Sequence, residues 1–281
     1  VFAAILLGAA MMIKGPVALL IAGVCIVLFI LQQTRMLQQT EGFSLPNYTK
    51  WVSLLAIYFG IACLPLMIWY AIDIIQNGPS LFYSFIEYQV RLFRTEDAGH
   101  GGFFGYHVVV LLFGCFPASL FAIYTLIKKL DTKNAFRDFM LILLAVVLVL
   151  FSIVQSKIIH YSSLCYFPLT YLAACSIQAF AERKYAIPKA LFLSLFAISS
   201  LYAILLWFAP WLGKNLDLLQ PLLKKDAFAA ANVNAELAWR GDEILPAILF
   251  SVMIGATFYF WIIRKQIAKG LLCCFLASVI M

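Results

Sequence analysis

The sequence predicts an all-α polytopic membrane protein. Two observations carry that prediction. Of 281 residues, 64% are hydrophobic and only 12% charged, with a mean hydropathy of +0.97. Soluble domains run near half apolar and a quarter charged, so a soluble chain is excluded. The apolar residues also come in continuous runs, without the alternation of a transmembrane strand, which selects helices over a barrel. Abundant Phe, Leu, Ile and Val rule out a disordered chain or a disulfide scaffold.

The runs fall at 16–32, 52–72, 106–127, 138–155, 161–180, 190–209 and 244–263. Two shorter ones stand at the ends, VFAAILLGAAMMI and LLCCFLASVIM. Each is below the roughly 20 residues needed to cross a bilayer, so both read as spans cut by the boundaries of the sequence. Residues 1–281 thus read as one transmembrane domain of up to nine membrane segments. Gly, Ala and Ser mixed with aromatics within the runs suit close helix packing in lipid. Trp51 and Trp69 bracket one span and Trp207 and Trp211 stand near the end of another, where interfacial anchors belong.

The loops divide into two sets. Segments 33–51, 128–137, 181–189 and 264–269 hold 12 Lys or Arg and three acids. Lys14 with 73–105, 156–160 and 210–243 gives eight Lys or Arg and nine acids. The positive-inside rule makes the first set cytoplasmic, so the formal charge of +7 is largely a topology signal. All seven cysteines lie in apolar runs without metal-site spacing, where Cys behaves as a small hydrophobe.

The unusual features gather on the outer side. Lys14-Gly15-Pro16 interrupts two apolar runs. A lysine there either snorkels from an ordinary tight turn or meets an anion. The outer loop 73–105 contains its own helix. Leu81, Phe82, Phe85, Ile86, Val90 and Phe93 approximate one face, with Glu87, Arg91 and Arg94 away from it. Such a helix lies in the membrane interface or packs on its neighbours. It leads into DAGHGGFFGY, where glycines free the backbone around His100. Ser156-Lys157-Ile158-Ile159-His160-Tyr161 joins two spans with almost no loop, as a capped hairpin or as a set of donors at phosphate depth. The second outer loop, 210–243, is long, polar and near neutral, with a short helix expected around 224–239.

Nucleotide-binding glycine loops and the zincin motif are missing from the sequence. Two of the three histidines, His100, His107 and His160, could share a divalent metal, but no third ligand is identifiable and no cofactor is assigned. None of the nine outer acids is singled out by spacing, so the catalytic residue is unknown.

The segments LLGAAMMIKGPVALLI, RLFRTEDAGHGGFFGYHVVVLLFGCFPASLF and SKIIHYSSLCYFPLTYLAA resemble the membrane core of the ArnT-like and protein O-mannosyltransferase-like glycosyltransferases of the GT-C class, over roughly residues 1–180 and in the same order. The resemblance implies a GT-C-like helical bundle in a bacterial inner membrane, its active face non-cytoplasmic. It would take a sugar from a polyprenyl-phosphate donor and pass it to a lipid, protein or glycan acceptor; no nucleic acid is implied. It carries donor phosphate binding onto Lys14 and Lys157, then Arg91, Arg94 and His100, with His160 and Tyr161 beside them. The family's catalytic acid, an aspartate in the first outer loop, would precede Val1. Relatives often have proline after the lysine where this chain has Ile158-Ile159. The competing readings are a transporter of a lipid-linked or anionic solute and an assembly subunit without activity. The lack of an internal repeat and of charge within the spans argues against transport.

Overall fold

The computed structural model describes residues 1–38, 48–94, 101–128, 134–182, 184–218, 221, 231 and 241–280. The chain is an all-α polytopic membrane protein. Its helices are α1 (Phe2–Lys14), α2 (Val17–Gln38), α3 (Tyr48–Asn77), α4 (Ser80–Arg94), α5 (Tyr106–Gly114), α6 (Ala118–Lys128), α7 (Ala135–Ile153), α8 (Tyr166–Ala181), α9 (Lys189–Lys214), α10 (Leu245–Ile262) and α11 (Ile267–Ile280). A 3-10 helix, Ile159–Cys165, leads into α8. Among the described residues six segments are long and apolar enough to cross a membrane, and α5 with α6 makes a seventh if that pair is one span. The helix expected at 224–239, and most of the loop around it, lie outside the described residues.

Two sequence expectations change. The run 106–127 is not one helix but two, broken at 115–117. Pro117 has no amide to donate, and Gly114 has no side chain to hold the turn. The second change is the end of the 52–72 span. Its helix continues through Asp73 to Asn77, where Gly78, at φ 83, and Pro79 turn the chain into α4.

The chain forms two compact units, Val1–Leu111 with Asp131–Tyr171, and Leu112–Leu130 with Leu172–Met281. In the first, α1 packs on α3 at backbone distance. A Cβ on Gly8 would stand 2.7 Å from the Ala62 carbonyl oxygen and 2.9 Å from Pro65 Cγ. Ala4, Leu7 and Ala62 are buried at this contact. Without a hydrophobic force between helices in lipid, such small-residue contact is what holds them together. Helix α2 meets α7 through an edge-to-face pair, Phe29 and Phe139, at 5.6 Å. Asn134 caps α7 by accepting from the Phe136 amide at 2.9 Å.

In the second unit, buried hydroxyls tie α6 to α8. Thr125 donates to the Leu172 carbonyl at 2.7 Å, and Ser176 to the Phe121 carbonyl at 2.6 Å. The break after α5 frees carbonyls that nothing in a membrane would otherwise satisfy. Ser119 donates to the Leu112 carbonyl at 2.6 Å and the Tyr202 hydroxyl to that of Phe113 at 2.8 Å. Helices α10 and α11 form a close hairpin, with Trp261 Nε1 donating to the Ile267 carbonyl at 3.1 Å.

Candidate functional site

The Lys14 turn stands just before the start of α2 and the Lys157 turn just past the end of α7, both in the first unit. Phe29 stands about 18 Å along α2 from Val17, and Phe139 about 21 Å along α7 before Ile153, at 1.5 Å per residue. These two rings touch, and the span alternation expected from the sequence runs α2 and α7 in opposite directions, which would bring the start of α2 and the end of α7 to nearly the same level. Arg35 and Arg137 belong to the opposite ends of α2 and α7.

At the first turn, Gly15 takes φ 72 and its amide donates to the Met11 carbonyl at 2.8 Å, ending α1. Only glycine adopts this backbone without strain. Space demands glycine as well, because a Cβ would meet Gln89 Nε2 and Phe85 Cζ, each at 3.3 Å. The neighbour of the Lys-Gly-Pro turn is therefore α4. Phe82 and Phe85 in turn pack on Tyr70 of α3, ring centroids 5.4 and 5.3 Å apart. Lys14 itself is exposed.

Helix α4 divides the apolar face expected of it. Phe82, Phe85, Gln89 and Leu92 turn inward, while Leu81, Ile86 and Val90 stay exposed beside them. Glu87, Arg91 and Arg94 are exposed, and Arg91 lies 5.2 Å over the Tyr88 ring. One part of the apolar arc thus packs on protein and the other is free for lipid. The Phe93 side chain lies outside the described residues, as does His100.

The second turn differs most from its sequence reading. Lys157 is buried, 5% exposed, and its ammonium donates to the carbonyls of Phe151 (3.1 Å), Ser152 (2.7 Å) and Val154 (2.5 Å). These are carbonyls that the end of α7 leaves without helical amides, at the negative end of its dipole. All three ammonium hydrogens are engaged there, and only the charged form has three to give. Burial pulls its pKa below the ordinary lysine value. The stem runs against Gly102, whose Cβ would come within 2.9 Å of Lys157 Cγ. Gly102 makes room for the lysine, a role that sequence assigned to backbone freedom around His100.

Around this cap stand rings from both motifs. Tyr161 is half-buried and lies against Phe151 at 5.0 Å, and exposed His160 meets Tyr161 edge-on at 5.1 Å. His107, missed as a site residue, is fully buried between Tyr106 and Phe151, with ring centroids 5.2 and 6.1 Å away. The structure therefore joins GGFFGYH to SKIIHY directly and joins KGP to α4. Among the described residues no three His, Cys, Asp or Glu side chains gather as metal ligands. A surface groove lined by Leu28, Leu31, Gln32, Arg35 and Met36 lies toward the other end of α2, away from these groups.

Comparison with known proteins gives one partial likeness. Over 111 residues the chain is 33% identical to the undecaprenyl phosphate-alpha-4-amino-4-deoxy-L-arabinose arabinosyl transferase of Wigglesworthia glossinidia brevipalpis. The matched stretch is 39% of this chain and 20% of that protein. No family model matches the chain, and no solved structure does.

Proposed function

We propose that this chain is part of a glycosyltransferase that takes a sugar from a polyprenyl-phosphate donor at the non-cytoplasmic face of the membrane. The observation that supports this reading is the seating of the Lys14 turn on α4, at one end of the first unit. That end offers exposed cations, Lys14, Arg91 and Arg94, beside a helix with a lipid-ready apolar flank. This is what a ligand with a polyisoprene tail and a phosphate head requires. The relative is named for such a donor, and positive-inside counting supports a non-cytoplasmic place for this end.

In the transfer, an acceptor hydroxyl oxygen bonds to the sugar's anomeric carbon and gives its proton to a base, while the bond from that carbon to the phosphate oxygen breaks and the phosphate leaves with the bonding electrons. Cations aimed at it stabilise the charge it gains. Lys14, Arg91 and Arg94 would meet the phosphate oxygens, with His160 and Tyr161 as hydrogen-bond donors; His100 belongs to the same loop as Arg94. Lys157 contributes differently from the others. It holds the His160-Tyr161 turn onto α7 and adds a positive charge beneath the site, where low dielectric strengthens its reach. The acceptor is a hydroxyl-bearing lipid, protein or glycan.

Transfer and transport separate in one experiment. Full-length protein in vesicles is given polyprenyl-phosphate sugar labelled in both halves, together with candidate acceptors. The proposal expects the two labels to part, with free polyprenyl phosphate released and the sugar on an acceptor. Movement of the intact donor across the bilayer would instead establish a transporter.

A further inference from the structure

His107 belongs to no part of the set described above, yet it is the least satisfied polar side chain in this region. It is fully buried, and neither Nδ1 nor Nε2 has a hydrogen-bond partner. Leaving a buried donor or acceptor unmet carries its full desolvation cost, and native structures rarely retain one without a use. An imidazole that only filled space would be replaced by an apolar ring at no loss.

Its surroundings say what would satisfy it. The ring lies against Phe151, whose carbonyl accepts from Lys157, so the imidazole and the buried ammonium flank the same residue. Lys157 is compensated by neutral carbonyls, and among the described residues no carboxylate pairs with it. His107 is also the second residue of α5, where the amides of Tyr106, Val108 and Val109 are already bonded to the carbonyls of Phe103 and Gly105, so the imidazole rather than the helix start is left unmet. A buried cation whose partners among the described residues are all neutral carbonyls and an unpartnered imidazole thus flank one residue, Phe151. The buried charge favours an anion, and the imidazole N–H can donate to one.

We propose that His107 forms an inner oxyanion position beside Lys157 that receives a phosphate oxygen of the polyprenyl-phosphate ligand. The proposal rests on the donor reading above and adds a residue to it. Imidazole N–H donates to the phosphate oxygen, while Lys157 supplies charge without leaving α7. Reaching the position requires the ligand to part the GGFFGY segment from the Lys157 stem, the close contact that Gly102 permits.

The test measures ligand affinity and thermal stability of the full-length protein in nanodiscs. The probes are a polyprenyl phosphate, the matching polyprenol and inorganic phosphate. Replacing His107 with leucine, of similar volume, should weaken polyprenyl phosphate by about tenfold, leave the polyprenol unchanged, and leave the ligand-free protein no less stable. His107→Gln, which keeps a donor, should recover most of the affinity. Wild-type affinity in His107→Leu overturns the proposal, as does a clear loss of ligand-free stability, since the imidazole would then already have a partner. If wild type binds inorganic phosphate but not the lipid, and His107→Leu loses that binding, the inner position stands and the donor reading falls. Binding of neither probe by wild type overturns both.

Discussion

The contact between Gly102 and Lys157 allows the Lys157 cap to be tested by energy as well as by geometry. A Cβ added at Gly102 would lie 2.9 Å from Lys157 Cγ and 3.2 Å from Lys157 Cβ. Carbon atoms prefer about 3.5–4.0 Å, so something must move by roughly half an ångström or more. The lysine stem cannot give freely, because three carbonyls fix its ammonium. Gly102→Ala should therefore cost about 1–3 kcal/mol, the range for overpacking a filled site. In a Lys157→Ala background Cγ is gone and the remaining contact is to Cβ at 3.2 Å, so the same substitution should cost distinctly less. Lys157→Ala alone loses roughly three hydrogen bonds to carbonyls, each worth about 1 kcal/mol or somewhat more with a charged donor. The cycle should then show a coupling of about 1–2 kcal/mol, which at this chain length means a Tm discrepancy on the order of 2–8 °C. The assay is thermal unfolding of the four proteins in one detergent, followed by tryptophan fluorescence. Strict additivity would refute the packing of Lys157 against Gly102 and, with it, the buried cap.

The remaining predictions concern pH and packing. Burial holds the Lys157 pKa below the ordinary lysine value, so between the two values the unfolded chain binds more protons. Stability should rise with pH across that window just below the ordinary lysine range, and Lys157→Met should lack that part of the slope in pH-dependent melts. Gly8→Ala would drive a methyl to 2.7 Å from the Ala62 carbonyl oxygen, which is backbone and cannot swing aside, and should cost about 2–4 kcal/mol in thermal melts. Gly270→Ala would put a Cβ 2.1 Å from the Trp261 ring, which its bond to the Ile267 carbonyl holds in place. It should cost about 3 kcal/mol or more, and Trp261→Leu should relieve most of that.

Much of the fold was legible because lipid imposes simple rules on sequence. Uninterrupted apolar runs announced the helices, and Lys14-Gly15-Pro16 announced the end of α1, since no other residue sequence ends a helix so cheaply. The helix at 80–94 was legible from its periodicity, but the division of its apolar arc was not. Phe82 and Phe85 turn inward because Tyr70 and Gly15 are there to meet them, and that depends on where α3 ends. The break in 106–127 did leave a signal, Gly114-Cys115-Phe116-Pro117, which apolar content masked. The least legible facts belong to the second turn. A lysine between two spans looks the same whether it snorkels, binds phosphate or caps a helix. Only the return of the chain beneath α7 places its ammonium on three carbonyls. His107 was equally hidden, because an isolated histidine in an apolar run carries no periodic mark.

The most direct test of the central claim is steady-state consumption of a polyprenyl-phosphate sugar by the full-length protein and its Lys14→Ala variant. If the Lys14 turn stabilises the departing phosphate, wild type releases polyprenyl phosphate in step with sugar transfer, and Lys14→Ala loses about 10²-fold or more in kcat/KM, the usual scale for removing a group aimed at developing charge. A wild-type protein that leaves the donor intact, or a Lys14→Ala variant that turns it over at the wild-type rate, would contradict the account.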